Sequence, residues 1–99
     1  MAFSLRWSRR AQLDTIQILD SLASIDEDAA KALRDRFIES VDLLERLPYL
    51  GARYERNPRV REILCEQYRI FYQVVKARQE VVILRVWHSS RDEPNLSDF

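Results

Sequence analysis

The run VVILRVW at residues 81–87 limits the fold more than any other stretch of the chain. Successive side chains of a strand point to opposite faces, and this run is apolar at both sets of positions. A strand of that kind needs cover on both faces, so it is expected to lie centrally in a sheet. Other segments supply its neighbours. Phe3, Leu5 and Trp7 alternate with Ser4 and Arg6 as a short first strand. Residues 60–65 and 68–75 read as two further strands. The polar link Lys76-Ala-Arg-Gln79 has the length of a hairpin turn, although it lacks glycine.

Between the first strand and the others the period changes from two to 3.6. Ser8 stands where a helix N-cap belongs, and Ala11, Thr15, Ile18, Leu22 and Ile25 follow as one buried stripe. Ser24-Ile-Asp-Glu27 has the capping-box form, and Asp26 and Asp28 place negative charge at the favoured end of the dipole. A second helix is predicted from Asp26 or Glu27 to Arg46, burying Ala30, Leu33, Phe37, Val41 and Leu44. A link this short makes the two helices fold back as a hairpin. Pro48 blocks continuation, Gly51 is free to take positive φ, and residues 52–58 read as a polar loop. The expected order is β-α-α-β-β-β: an α+β layer, with a helical hairpin on one face of a mainly antiparallel sheet.

Ninety-nine residues are expected to make one domain, residues 1–99. Cys65 is the only cysteine, so no internal disulfide forms and a reducing, cytoplasmic setting is expected. No apolar run approaches membrane-spanning length. The formal net charge is zero, but residues 11–50 carry nine acids against four bases and residues 51–92 nine bases against five acids. Such a basic back half suits an anionic partner. Fourteen of the sixteen bases are arginine, which favours planar, bidentate recognition, or simply reflects a GC-rich genome.

The sole histidine, His88, sits between Arg85 and Arg91, a combination suited to phosphodiester cleavage. Strand parity sends Arg85 and His88 to opposite faces unless the strand ends before His88. Arg61, Arg69, Arg85, His88 and Arg91 either gather on an open sheet face or are satisfied one by one. In that second case the arginines pair with acids such as Glu62, Glu66 or Asp92, and His88 takes a backbone acceptor. Leu13, Ile16, Leu19 and Ala23 widen the apolar face of the first helix, to be covered by the second helix or by a partner helix. The tyrosines read as packing residues, with Tyr54 in the basic loop the one placed to stack on a base. No phosphate-binding glycine loop, metal-ligand spacing or serine-triad motif occurs, and no cofactor is expected.

Five segments in order carry a family resemblance: Trp7-Ser8, LPYLG at 47–51, VREI at 60–63, YRIFYQV at 68–74 and VVILRVWHSSRD at 81–92. Together they resemble the ParE branch of the RelE/ParE toxins of type II toxin–antitoxin (plasmid stabilisation) modules. The resemblance implies a toxin neutralised by a cognate antitoxin, ParD-like and of ribbon-helix-helix type, with DNA gyrase as target. In the RelE branch the target is messenger RNA on the ribosome, and there Arg69 and His88 fall where cleavage residues stand. RelE-type nucleases also carry lysines before and through the second strand. Here that segment has Arg53, Arg56, Arg59 and Arg61, and arginine stays protonated and makes a poor general base. Glu55 and Glu62 are the remaining bases, and neither is placed by a motif. The expectation is therefore a gyrase inhibitor without catalytic residues. Arg53, Arg56, Arg61, Arg69, Arg85 and Arg91, with Leu13, Ile16 and Leu19, are its candidate target- or antitoxin-facing residues. The alternatives are a ribosome-dependent mRNA endonuclease using Arg69 and His88, and a non-toxic antitoxin-binding module.

Overall fold

A computed structural model describes residues 2–99. Strand β1 (Ser4–Trp7) leads into helices α1 (Arg9–Ala23) and α2 (Glu27–Arg46). Strands β2 (Ala52–Tyr54), β3 (Asn57–Cys65), β4 (Tyr68–Val75) and β5 (Glu80–His88) follow, with a single 3-10 turn, Lys76–Arg78, before β5. The sheet order is β1-β5-β4-β3-β2, and β1 runs parallel to β5 while the other pairs are antiparallel. The apolar run 81–87 is thus an interior strand, as its two-faced pattern requires.

Local chemistry explains the helix ends. The Ser8 hydroxyl accepts the Ala11 N–H at 3.1 Å and donates to the Leu84 carbonyl at 3.0 Å, so one cap also fastens α1 to β5. The second cap differs from the capping-box expectation. Asp26, not Ser24, accepts the Ala29 N–H, while the Ser24 hydroxyl turns back to the Ser21 carbonyl at the end of α1. A carboxylate one residue before the acidic first turn offers a stronger acceptor than the serine does.

The α2 stripe is buried as predicted, from Ala30 to Leu44. The α1 stripe is not: Ala11 is buried, Ile18 and Leu22 are half-buried, and Ile25, beyond the end of the helix, is 85% exposed. Two apolar clusters sandwich the sheet. On the helix side Phe37, Val41 and Leu44 meet Ile70, Tyr72, Val81, Ile83 and Val86. On the other side Tyr54, Val60, Phe71, Val82 and Leu84 are covered by Leu96 and Phe99 of the C-terminal tail.

Residues 52–58 are not a loop. They hold β2 and the start of β3, an edge hairpin whose register jumps from Arg53↔Arg61 to Tyr54↔Asn57. That leaves 58–60 outside the ladder, where Pro58 costs no hydrogen bond. The Asn57 amide fixes the hairpin by donating to the carbonyls of Leu96, at 2.8 Å, and Phe99, at 3.2 Å. Gly51 does not take positive φ. Its requirement is space: a Cβ there would lie 2.5 Å from the Glu62 carbonyl oxygen and 2.7 Å from the Tyr72 hydroxyl.

Candidate functional site

Strand β5 decides where the candidate residues point. Its pairing with β4 passes from Tyr72↔Ile83 to Phe71↔Arg85, so Leu84 is an extra residue in a bulge. The bulge lets Val81, Ile83 and Val86 all face the helices despite their mixed parity. It also leaves Arg85 and Trp87 on the face of Phe71, with the Arg85 guanidinium 4.9 Å from the Trp87 ring centroid.

Beyond Ile83 the short β1 no longer covers β5, and α1 closes the gap. Asp14 accepts the Val86 N–H at 3.0 Å and takes the Arg85 guanidinium in a fork of 2.8 and 2.9 Å. Both side chains are nearly enclosed, at 12% and 13% exposure. Arg85 is therefore committed to the fold.

Arg69 is held as firmly on the open face. Glu62 grips it from β3 at 2.8 and 3.2 Å, and Glu93 of the tail accepts from the same guanidinium at 3.0 Å. The two carboxylates, Glu62 foremost, raise the arginine above its ordinary range. Glu93 also accepts the Tyr54 hydroxyl at 2.7 Å. That bond first, and Arg69 second, hold the Glu93 carboxyl below the usual carboxylate range. Burial, aided by the Glu93 charge, pushes the Tyr54 hydroxyl up to about 12. Tyr54 is thus a packing residue against Phe71, 3% exposed, and offers no stacking platform.

His88 lies on the other face. Tyr68 stands opposite it across the ladder, whereas Arg69 stands opposite Trp87, so Arg69 and His88 are on opposite sides of the sheet. The β5 strand runs through His88, which keeps Arg85 from it as well. The imidazole packs edge-on against Tyr68, and Tyr68 against Phe37, at centroid distances of 5.2 and 5.5 Å. Its Nδ1 accepts the Ser90 N–H at 3.1 Å, which puts the ring proton of the neutral form on Nε2. The expected backbone acceptor is replaced by this backbone donor.

Arg61 also leaves the open face. It donates to the carbonyls of Gly51, at 2.7 Å, and Tyr49, at 3.4 Å, and its guanidinium stands 5.0 Å from the Tyr49 ring centroid. Arg91 stacks on Trp87 at 3.8 Å. Glu66 pairs with Arg36 of α2, and Asp92, without an ion pair among the described residues, accepts the Trp87 indole N–H with its carbonyl. Of the candidate arginines, Arg53 and Arg56 are exposed and make no ion pair among the described residues, and Arg59 behaves likewise.

His88 contributes to a groove of about 670 Å³ between the helical hairpin and the end of the sheet. Ile18, Leu22, Leu33, Tyr68 and Val86 give it an apolar floor, and Arg36, Glu66 and Arg91 stand at its margin. Leu13 and Ile16 lie outside this groove, 48% and 54% exposed, while Leu19 packs on the helix-side core. The apolar shoulder read from the sequence is thus covered only in part by α2. The groove itself is not legible in the sequence, because the apolar periodicity places its floor residues in the core. Their excess over what α2 can cover was the available signal.

A family model for the ParE toxin of the type II toxin–antitoxin system parDE matches residues 5–93. No curated protein matches the chain in sequence. Among solved structures, the chromosomal ParDE toxin–antitoxin system from P. aeruginosa superposes with a TM-score of 0.75 at 26% identity, covering 88% of this chain and 96% of that one. The RelBE2 toxin–antitoxin complex from Mycobacterium tuberculosis gives 0.66 at 22% identity over 89% and 99%. The archaeal RelE–RelB complex from Pyrococcus horikoshii gives 0.65 at 21% over 93% and 100%. With the family match running from β1 through Glu93, which latches Arg69, the chain belongs to the ParE toxin family of type II toxin–antitoxin systems.

Proposed function

We propose that this toxin acts on DNA gyrase as a binding protein, without cleaving RNA, and is restrained by a ParD-like antitoxin of ribbon-helix-helix type. The observation that carries the reading is the separation of Arg69 from His88. A cleavage site needs a cation for the developing phosphate charge within reach of a proton-transferring group. Here the two lie on opposite faces of the sheet, and Arg69 is already neutralised by two carboxylates. A gyrase poison needs only a surface.

The groove beside α1 supports the antitoxin half of the reading. Its apolar floor suits one face of an amphipathic helix, and exposed Leu13 and Ile16 extend the apolar surface along α1. Among the described residues no helix is long and apolar enough to cross a membrane. We place the action in the cytoplasm, where gyrase works.

One induction experiment tests the reading. Expression of the chain without antitoxin should inhibit supercoiling or break DNA while messenger RNA stays intact. Cut messenger RNA with undamaged DNA would favour the endonuclease alternative. Normal growth would leave only an antitoxin-binding module. Leu13→Glu or Ile16→Glu, at exposed positions of α1, should weaken antitoxin capture while the fold stays intact.

A further inference from the structure

The hairpin of β2 and early β3 presents cationic groups that the fold itself does not use. Arg53 on β2, Arg56 at the tip and Arg59 in the excursion from the ladder are all exposed, and no described carboxylate lies within ion-pair distance of them. Arg6, Arg34, Arg36, Arg69, Arg78 and Arg85 each have an acid partner. The remaining bases also lack one among the described residues, but Arg9, Arg10, Lys31, Arg46, Lys76 and Arg91 are spread along other elements, whereas the hairpin gathers its arginines on one ribbon. Arg61, opposite Arg53 across the ribbon, donates only to neutral carbonyls, so its charge is also uncompensated. The one acid in the turn is Glu55. We propose that this ribbon binds the phosphate backbone of duplex DNA, without regard to base sequence.

Three features select that ligand. The guanidiniums occupy both sides of the ribbon: Arg53 shares the helix-side face with Arg61, and Arg56 lines the opposite cleft with Glu93 and Pro94. A two-stranded ribbon fits the major groove of B-form DNA, whose phosphate walls flank it on either side. The same groove in A-form RNA is too deep and narrow to admit it. Second, the hairpin provides no ring on which an unpaired base could stack. Tyr54 is buried with its hydroxyl on Glu93; Tyr49, 51% exposed, lies before β2 and carries the Arg61 guanidinium on its ring. Single strands depend on such platforms. Third, the ribbon is braced in advance: Asn57 holds two tail carbonyls and takes the Arg59 N–H at 3.1 Å. Fixing the backbone beforehand lowers the ordering cost of binding.

The proposal extends the gyrase reading but does not depend on it, because bare DNA is the ligand tested. Fluorescence anisotropy with a labelled duplex of about 20 base pairs should give binding at low salt, with an affinity that falls as salt rises at a log–log slope of about −3, as three to four neutralised phosphates dictate. Arg53→Gln, Arg56→Gln and Arg59→Gln together should weaken it about tenfold or more and flatten the slope, with thermal stability unchanged. Removing the same charge from the far side, by Arg9→Gln, Arg10→Gln and Lys31→Gln, should leave it nearly unaltered. The proposal is overturned by failure to bind at low salt, by equal loss in the two triple variants, or by tighter binding of single strands or duplex RNA than of duplex DNA.

Discussion

Asp14 and Arg85 meet in a two-pronged ion pair at the point where β1 ends and β5 continues alone, and the same carboxylate caps the Val86 N–H. A sheet edge left open there would expose backbone donors and acceptors to any passing strand. Asp14→Ala strands a nearly enclosed guanidinium and a backbone N–H together. It should lower the unfolding free energy by about 3 kcal/mol. Asp14→Ala combined with Arg85→Met should recover part of that, since no charge is then left alone. Urea denaturation of the three variants measures it; an Asp14→Ala change near zero would show that the edge closes without this pair.

Gly51 is required for the approach of three groups. The Tyr72 hydroxyl receives its N–H at 2.8 Å, Arg61 donates to its carbonyl, and the Glu62 carbonyl lies where a Cβ would stand. Gly51→Ala must push β3 or the tyrosine aside, and overpacking of this sort costs about 1–3 kcal/mol. Tyr72→Phe keeps the shape and removes only the acceptor, leaving a buried N–H unpaired at a cost of about 1–3 kcal/mol. Thermal melts should show both changes, and a Gly51→Ala variant as stable as the parent would refute the steric argument.

How much of this was legible in the sequence depends on which force fixed each element. The period of 3.6 placed α2 and its five buried residues, and the two-faced run placed β5 in the interior, because burial alone dictates both. The β2 hairpin was hidden because its ladder is short, and the Asn57 bonds that steady it reach across to the chain's last residues. The Leu84 bulge has no local signal, since it closes the unbroken apolar run Val81–Leu84 with no glycine or proline to mark it. Parity still separated Arg85 from His88 correctly, because the strand continues through His88. It could not pair Arg69 with Glu93, which lies in a tail without periodicity.

That tail should prove structural. Leu96 is 3% exposed and closes the second cluster over Phe71, Val82 and Leu84. Leu96→Ala removes a filled position at a cost of about 2–4 kcal/mol. Denaturant midpoints at equal slope report this loss. A change below about 0.5 kcal/mol would mean that the tail lies loosely on the sheet.

The Tyr54–Glu93–Arg69 chain gives stability a pH dependence at both ends. The Glu93 carboxyl is held below its ordinary value in the folded state, so its contribution is present above the usual carboxylate range and is lost as pH falls through the folded value. The Tyr54 hydroxyl moves from 10.0 to about 12, so its contribution is complete below pH 10.0 and disappears as pH rises toward 12. Unfolding measured across pH should show the parent's advantage over Glu93→Gln shrinking in acid. Tyr54→Phe should remove one late-ionising tyrosine from the alkaline absorbance titration. A parent and a Glu93→Gln variant with parallel acid profiles would contradict the first assignment.

The same chain complicates any test of toxicity by mutation. Arg69→Ala leaves Glu62 and Glu93 facing one another without the guanidinium between them, so activity would be lost through the fold whatever Arg69 does elsewhere. His88 permits a cleaner experiment. Its ring touches Tyr68 at the groove and its Nδ1 holds one turn N–H, so His88→Ala should cost about 1 kcal/mol and leave the sheet intact. Growth arrest by His88→Ala should equal that of the parent, with the melting temperature lowered by a few degrees at most. A folded, antitoxin-binding His88→Ala chain that no longer arrests growth would return the imidazole to the chemistry, and Arg91 at the same groove would then replace Arg69 as the cation to examine.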